Sequence, residues 1–365
     1  MRHSLVPLVR GATAGVLAIA AMWSSGGLPA AAPAAAPAPE ASSLSFDQRY
    51  RALQHGGIVR AANTSITCRA SEGGCSAAQD GRGVNGDFDM FYVDVDRDPN
   101  TYNSSRAQVR LPSGSRVTYA RLYWGGNLRV GEQKPSEDNG RVLIAEPGGE
   151  YKQVVADTVV GHRVTDDVDA FQASADVTGL VRDSGAGLYT VAQVNVASGR
   201  SAAGAWGGWT LVVAYENAAE PLRHLALWDG FAPVQSGGQE LRLRDAAFPA
   251  GVGGHAGVVA YNGDRRTTGD SLVLTTGQSG SEHDSAELTD SANPHGDVLN
   301  STISEPQSMS SSREPAYPHT LGYDSDVLDL GGGWRRAGDQ VTLRLRSQRD
   351  AAWAGVLFAA VDARQ

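Results

Sequence analysis

In the stretch VTYARLYW, residues 117–124, β-branched and aromatic residues cluster and polar positions alternate with apolar ones. That is the period-two pattern of a strand with one face buried. The same signal recurs in RAQVRLP (106–112), RVLIAE (141–146), YTVAQVNV (189–196) and WTLVVAYE (209–216). Further along it appears in HLALWDGF (224–231), QELRLRDA (239–246), AGVVAYNGD (256–264), DSLVLTT (270–276), QVTLRLRS (340–347) and AGVLFAAVD (354–362). Gly, Pro, Asn and Asp punctuate these runs, and the chain carries 44 Gly and 16 Pro. Helical character is confined to FDQRYRALQ, starting at residue 46, and VTGLVRD (177–183), each good for a turn or two. The pattern predicts an all-β fold of antiparallel, jelly-roll-like β-sandwiches.

The strands also repeat as a set. SRAQVRLPSGSRVTYARLYWGGN (105–127) matches the rhythm of 238–264, DNGRVLIAEPGGE (138–150) that of 268–282, and 176–216 that of 326–362. The order is the same each time, which implies an internal duplication. About 320 residues after a leader exceed one compact core, so two tandem sandwiches are expected, at 44–219 and 220–365.

Residues 1–43 are read as a leader. Arg2 and Arg10 precede or flank GATAGVLAIAAMW, an apolar run too short to span a bilayer, and a Pro/Ala-rich spacer follows. This predicts a secreted, extracellular protein with no membrane span in the mature chain. Cys68 and Cys75, in CRASEGGC, are expected to close a disulfide there, with a zinc site including His55 as the lesser alternative. A formal charge of -9 excludes nucleic acid as a partner, because phosphate neutralisation needs a basic face.

Taken together, NTSITC, DFDMFYVDVDRDPNTYNSS, LPSGSRVTYARLYWGG, DVTGLVRDSGAGLYTVAQV, GGWTLVVAYE, LWDGF, VAYNGDRRTTGDS, LNSTIS and LGYDSDVLDL carry a resemblance. They resemble the functionally uncharacterised N-terminal region of exported actinobacterial surface proteins, over nearly all of residues 58–362. In many of those proteins the region precedes immunoglobulin-like adhesin repeats, which this chain lacks. The resemblance implies surface binding or adhesion, with cell-wall glycan or another surface protein as partner. DVTGLVRDSGAGLYTVAQV is also similar to a segment of galactose-binding-like jelly rolls, which transfers an architecture and no sugar site.

Three chemical candidates remain. Gly269-Asp270-Ser271-Leu272 spells the motif of a serine esterase family, but no mature His lies three residues after an Asp, and the Gly-x-Asn-Asp element is missing. The match is read as coincidence, and the protein as non-enzymatic. Asp94, Asp96, Asp98 and Asn100 form an acidic run that can offer hard oxygen ligands to calcium, although EF-hand spacing fails. The competing reading of the same run is a set of Asx turns. Trp206, in the Gly-rich AGAWGGW, is singled out as an exposed aromatic able to stack on a sugar ring. Asn63, Asn103 and Asn300 head N-x-S/T triplets, read as turn caps rather than glycan acceptors.

Overall fold

The computed structural model describes residues 35–364 apart from 166–167, 235–237, 279–282, 332–333 and 350. Its first strands are β1 (Glu40–Ala41), β2 (Leu44–Thr64), β3 (Ile66–Cys68), β4 (Met90–Tyr92), β5 (Ser104–Val109) and β6 (Arg116–Asn127). Then follow β7 (Arg141–Ala145), β8 (Lys152–Val155), β9 (Thr158–Thr165), β10 (Val168–Asp176), β11 (Gly187–Ala192) and β12 (Gly207–Glu216). The second half contributes β13 (Leu222–Pro233), β14 (Gln239–Phe248), β15 (Gly254–Tyr261), β16 (Ser271–Gly277) and β17 (His283–Glu287). It ends with β18 (Arg313–Glu314), β19 (Tyr323–Asp329), β20 (Gly338–Arg346) and β21 (Trp353–Asp362). Two short helices, α1 (Cys75–Gln79) and α2 (Thr178–Ser184), are interspersed.

Each half is an eight-stranded jelly roll. In the first, β10-β6-β12-β2 opposes β5-β11-β7-β8; in the second, β19-β15-β21-β13 opposes β14-β20-β16-β17. Read in chain order, the two connectivities are identical. The blocks matched in the sequence coincide with matched strands: β5 and β6 with β14 and β15, β7 with β16, β11 and β12 with β20 and β21.

The two rolls are not strung end to end. β2 belongs to both: its residues 56–64 pair with β12 and its earlier part pairs with β13, giving one ten-stranded sheet. β12 and β19 lie five strands apart in that sheet, about 24 Å if it were flat at ~4.8 Å per strand. Yet the Thr210 hydroxyl of β12 meets the Tyr323 hydroxyl of β19 at 2.7 Å. The sheet therefore folds over at β2, and its halves stack face to face. The order of layers is small sheet, large half-sheet, large half-sheet, small sheet.

This stacking gives three cores. Trp209, Leu211 and Val213 of β12 pack into the first roll, while Leu357, Ala359 and Val361 of β21 pack into the second. The alternate residues, Val212 and Ala214 with Val356, Phe358 and Ala360, meet in a third core between the rolls. Tyr123, Trp206, Tyr261, Tyr323 and Phe358 are fully buried there, each contributing about 2 kcal/mol by removal from water. The tyrosine hydroxyls are satisfied across the interface: Tyr261 donates to Gln172 at 3.1 Å, Tyr123 donates to Asp229 at 3.0 Å, and Tyr323 meets Thr210 at 2.7 Å. At Gly355 a Cβ would sit 2.0 Å from the Gln172 Oε1, so a larger residue there would displace the side chain that accepts from Tyr261.

Two expectations are corrected. FDQRYRALQ is strand, the first part of β2, because its alternate side chains are half-buried against β13 and Tyr50 stacks on Tyr119 at 4.7 Å. The segment assigned to the leader contributes to the fold before residue 44: β1 pairs in parallel with β9, and the Ala38 N–H donates to the Ala156 carbonyl. Its proline-rich composition does not prevent this, since a strand edge needs only alternate donors.

Candidate functional site

The cysteines behave as expected: Cys68 and Cys75 are joined in a disulfide, with Cα atoms 5.6 Å apart. The bond closes a small unit with its own core, in which Ile66, Ala78, Phe88, Met90 and Leu321 are packed. His55 lies elsewhere, its Nδ1 2.8 Å from the Glu220 carbonyl.

Asp94, Asp96, Asp98 and Asn100 share one loop whose ends are pinned by the Ser104 N–H to the Val93 carbonyl, 2.8 Å. One oxygen of each carboxylate faces the loop's own amides. Asp94 Oδ1 accepts from Arg97 N at 3.2 Å, Asp96 Oδ1 from Asp98 N at 2.9 Å, and Asp98 Oδ1 from Asn100 N at 2.9 Å. These are Asx-type turns. Burial pushes the Asp96 carboxyl up, but hydrogen bonds from Tyr151 and from the Asp98 amide outweigh it and hold the group below the usual range. Among the described residues no three His, Cys, Asp or Glu side chains converge as a metal-ligand set.

Trp206 is not exposed. Its relative exposure is 0%, and it packs 5.8 Å from Tyr261 in the core between the rolls. The Gly-rich composition around it reflects tight packing: a Cβ at Gly207 would lie 2.8 Å from the Gly125 carbonyl oxygen, and one at Gly208 would lie 2.6 Å from that of Asn63. Among the described residues the exposed aromatic is Phe91, at 41%, with the Arg69 guanidinium 4.0 Å from its ring. Phe91, Tyr92 and Tyr102 form a ledge beside the acidic loop, with centroids 5.2 and 5.0 Å apart. A lone Phe in a short strand gives no sequence signal of exposure.

Ser271 is the first residue of β16, as Arg141 is of β7, and no hydrogen bond joins it to an imidazole among the described residues. Asn63, Asn103 and Asn300 are all buried and use their side-chain amides on backbone carbonyls.

A cleft of about 420 Å³ opens where the two rolls meet. β2 supplies Arg60, the end of β5 leads to Arg110, β13 supplies Arg223, and β15 supplies His255. The remaining wall is a strap, residues 289–312, running from β17 to β18 and contributing Glu305 and Met309. Arg60 Nη1 lies 2.6 Å from Glu305, and Arg223 pairs with Asp362 at 2.9 Å and Glu220 at 3.1 Å. His255 is buried, which lowers its pKa to about 4, and its Nε2 is 2.7 Å from the Ile58 carbonyl. It is therefore neutral and committed to the backbone. Arg110 and Asp329 are the exposed charges of the cleft. The alternation of guanidinium, carboxylate and apolar wall suits a polar ligand with hydroxyl groups.

The strap is held by carboxylates that the sequence shows only as scattered Asp residues. Asp270 accepts from Leu299 N at 2.6 Å, Asp324 from Thr302 N at 3.1 Å, and Asp326 from Ser304 N at 2.8 Å. The strap also lies along the edge of β19, taking Ser325 N–H and Val327 N–H on the carbonyls of Thr302 and Ser304. Its far end adds β18 to the edge of β5 in the other roll.

No family model matches the chain, and no curated protein matches it. Two solved structures show slight likeness. One is the major capsid protein P2 from Bacteriophage PM2, 11% identical over 73% of this chain and 95% of that one, at a TM-score of 0.17. The other is quercetin 2,3-dioxygenase from Acinetobacter baumannii, 10% identical over 85% of this chain and 87% of that one, at a TM-score of 0.19. At such TM-scores neither likeness carries an argument about this chain.

Proposed function

We propose that the chain is a secreted, non-enzymatic protein of the cell envelope or extracellular space that binds a cell-wall glycan or another surface protein. The observation that supports this best is the cleft between the rolls, formed jointly by both of them and by the strap. Its volume of about 420 Å³ lies in the range of small-molecule and sugar sites. Export is supported by the basic and apolar start of the sequence and by the Cys68–Cys75 disulfide. The test is retention on cell-wall glycan beads. Arg110→Ala combined with Asp329→Ala should weaken retention about tenfold or more without lowering the melting temperature; unchanged retention would remove the cleft from the reading.

A second reading is calcium-assisted carbohydrate binding at the ledge of Phe91, Tyr92 and Tyr102, favoured by its position beside the Asp94–Asn100 loop. Here the ledge replaces Trp206 as the stacking surface. Glycan retention that needs millimolar calcium and is lost in both Phe91→Ala and the Asp94→Asn/Asp96→Asn pair would favour this site over the cleft. Ester hydrolysis abolished by Ser271→Ala would instead favour a hydrolase.

A further inference from the structure

Residues 299–311 run from the buried edge beside β19 to the cleft, whose wall they supply at Glu305, Ser308, Met309 and Ser311. Arg60 Nη2 donates to the Ser304 carbonyl at 2.7 Å, and Glu305 both pairs with Arg60 and accepts from Ser311 N at 2.6 Å. The buried end of the stretch is also tied by Leu299 N to Asp270, by Thr302 N to Asp324, by Ser301 Oγ to the Gly263 carbonyl, by Ser325 N and Val327 N on the carbonyls of Thr302 and Ser304, and by Asp326. Asp326 Oδ1 accepts three hydrogen bonds, from Ser304 N and Ser304 Oγ at 2.8 Å and from Thr302 Oγ1 at 3.1 Å. Its Oδ2 is buried and has no hydrogen-bond partner among the described residues.

We propose that residues 299–311 form a clasp along the cleft, latched by Asp326, which is closed while that carboxyl is protonated and loosens as it ionises. The proposal rests on the reading of the cleft as a binding site only for what the clasp admits. The charged groups facing Asp326 are Arg60 from β2, Arg313 from β18, Glu305 from the clasp itself, and Asp324 two residues away on β19. Arg60 is engaged by Glu305, and Arg313 by the carbonyls of Pro315 and Tyr317, so neither guanidinium pairs directly with Asp326. The proton has a natural place on Oδ2, where it leaves all three acceptor contacts of Oδ1 intact. Ionisation instead places charge where water cannot reach, and an open clasp, which solvates the carboxylate, gains by comparison. Burial pushes the group up to about 7, against the opposing hydrogen bonds from Ser304.

The sign follows from linkage. The closed form holds the proton up to about pH 7 and the open form only to the ordinary carboxylate range, so closure is favoured at low pH. The opening constant should rise about tenfold per pH unit from about 4 towards about 7, then level off. Hydrogen exchange of the full-length mature chain, corrected for intrinsic amide rates, reads this directly. In the wild type, protection of residues 299–311 should fall at least fivefold between pH 5.5 and 7.5, while β12 and β21 amides stay protected. Asp326→Asn mimics the protonated carboxyl and should flatten that dependence. Ser304→Ala, which removes one donor, should lower protection at every pH while keeping the slope. A wild-type profile that is flat, or an equal slope in Asp326→Asn, or unchanged protection in Ser304→Ala, would overturn the clasp. Because no ligand is added, failure of the clasp and failure of glycan binding are separate results.

Discussion

Asp229 joins the two rolls at the centre of their shared core, and its removal should cost more than its single charge suggests. The residue sits on β13 with a side chain 3% exposed. It accepts from Arg49 Nε at 2.9 Å and from Tyr123 Oη at 3.0 Å, with Arg121 Nε 3.6 Å away. In Asp229→Ala the Tyr123 hydroxyl is left buried without an acceptor, at about 1–3 kcal/mol. Arg121 retains Asp157, and Arg49 is a third exposed and can turn to water, so both losses are discounted. The total should be about 3 kcal/mol, the low end for breaking a buried charge network. Asp229→Asn keeps an acceptor for Tyr123 and should cost about half as much. Urea titration followed by tryptophan fluorescence measures both, and a cycle with Tyr123→Phe isolates the pair. A loss below ~1 kcal/mol in Asp229→Ala, or equal losses in the two variants, would refute the claim that this contact holds the rolls together.

Trp206→Ala should cost about 3–5 kcal/mol in chemical denaturation, as expected for an emptied core site, because the ring is wholly buried. His255 has a folded pKa of about 4 against an ordinary 6.5, so its contribution is full above pH 6.5 and is lost as pH falls towards 4, by up to ~3 kcal/mol. His255→Gln should remove that acid limb from a pH series of denaturation curves. Ser271→Ala should change stability by less than about 0.5 kcal/mol, since the hydroxyl stands at a strand start with no hydrogen bond among the described residues.

Most of the strand framework was legible because alternation survives wherever one face meets a small sheet and the other meets solvent or a polar neighbour. RVLIA reads as i-B-i-B-i in burial, the pattern its letters imply. The repeat was legible because strand order is the same in both halves although few residues are. The stacking of the rolls left a trace that alternation alone does not interpret: GGWTLVVAY and WAGVLFAAV are continuous apolar runs, because both faces of β12 and β21 are buried. β2 was hidden, since FDQRYRALQ carries its apolar residues at spacings compatible with either period. Trp206 was misread because a Gly-rich flank signals either an open loop or a close approach of backbones. The latch was illegible for a different reason: Asp324 and Asp326 look like solvated acids until the strap, supplied by residues more than twenty positions earlier, is laid over them.

The two rolls differ where the chain is long between matched strands. Between β2 and β5 lie residues 65–103, with the disulfide unit and the acidic loop, whereas the matched link from β13 to β14 is only 234–238. Between β17 and β19 lies the strap and β18, against the shorter β8-to-β10 link containing β9. These two long insertions touch. Leu321 is buried in the disulfide unit's core, the His319 N–H donates to the Gln79 carbonyl, and the His319 ring contacts the Ala78 carbonyl at 3.0 Å. The disulfide is thus placed to steady the link from β18 to β19. Opening the eight-residue loop with Cys68→Ser/Cys75→Ser should cost the local unit about 2–3 kcal/mol by loop-closure entropy. If the insertions act together, amide exchange should accelerate at residues 317–322 as well as at 66–90, while the sheet core stays protected. Acceleration confined to 66–90 would show that the two insertions merely adjoin.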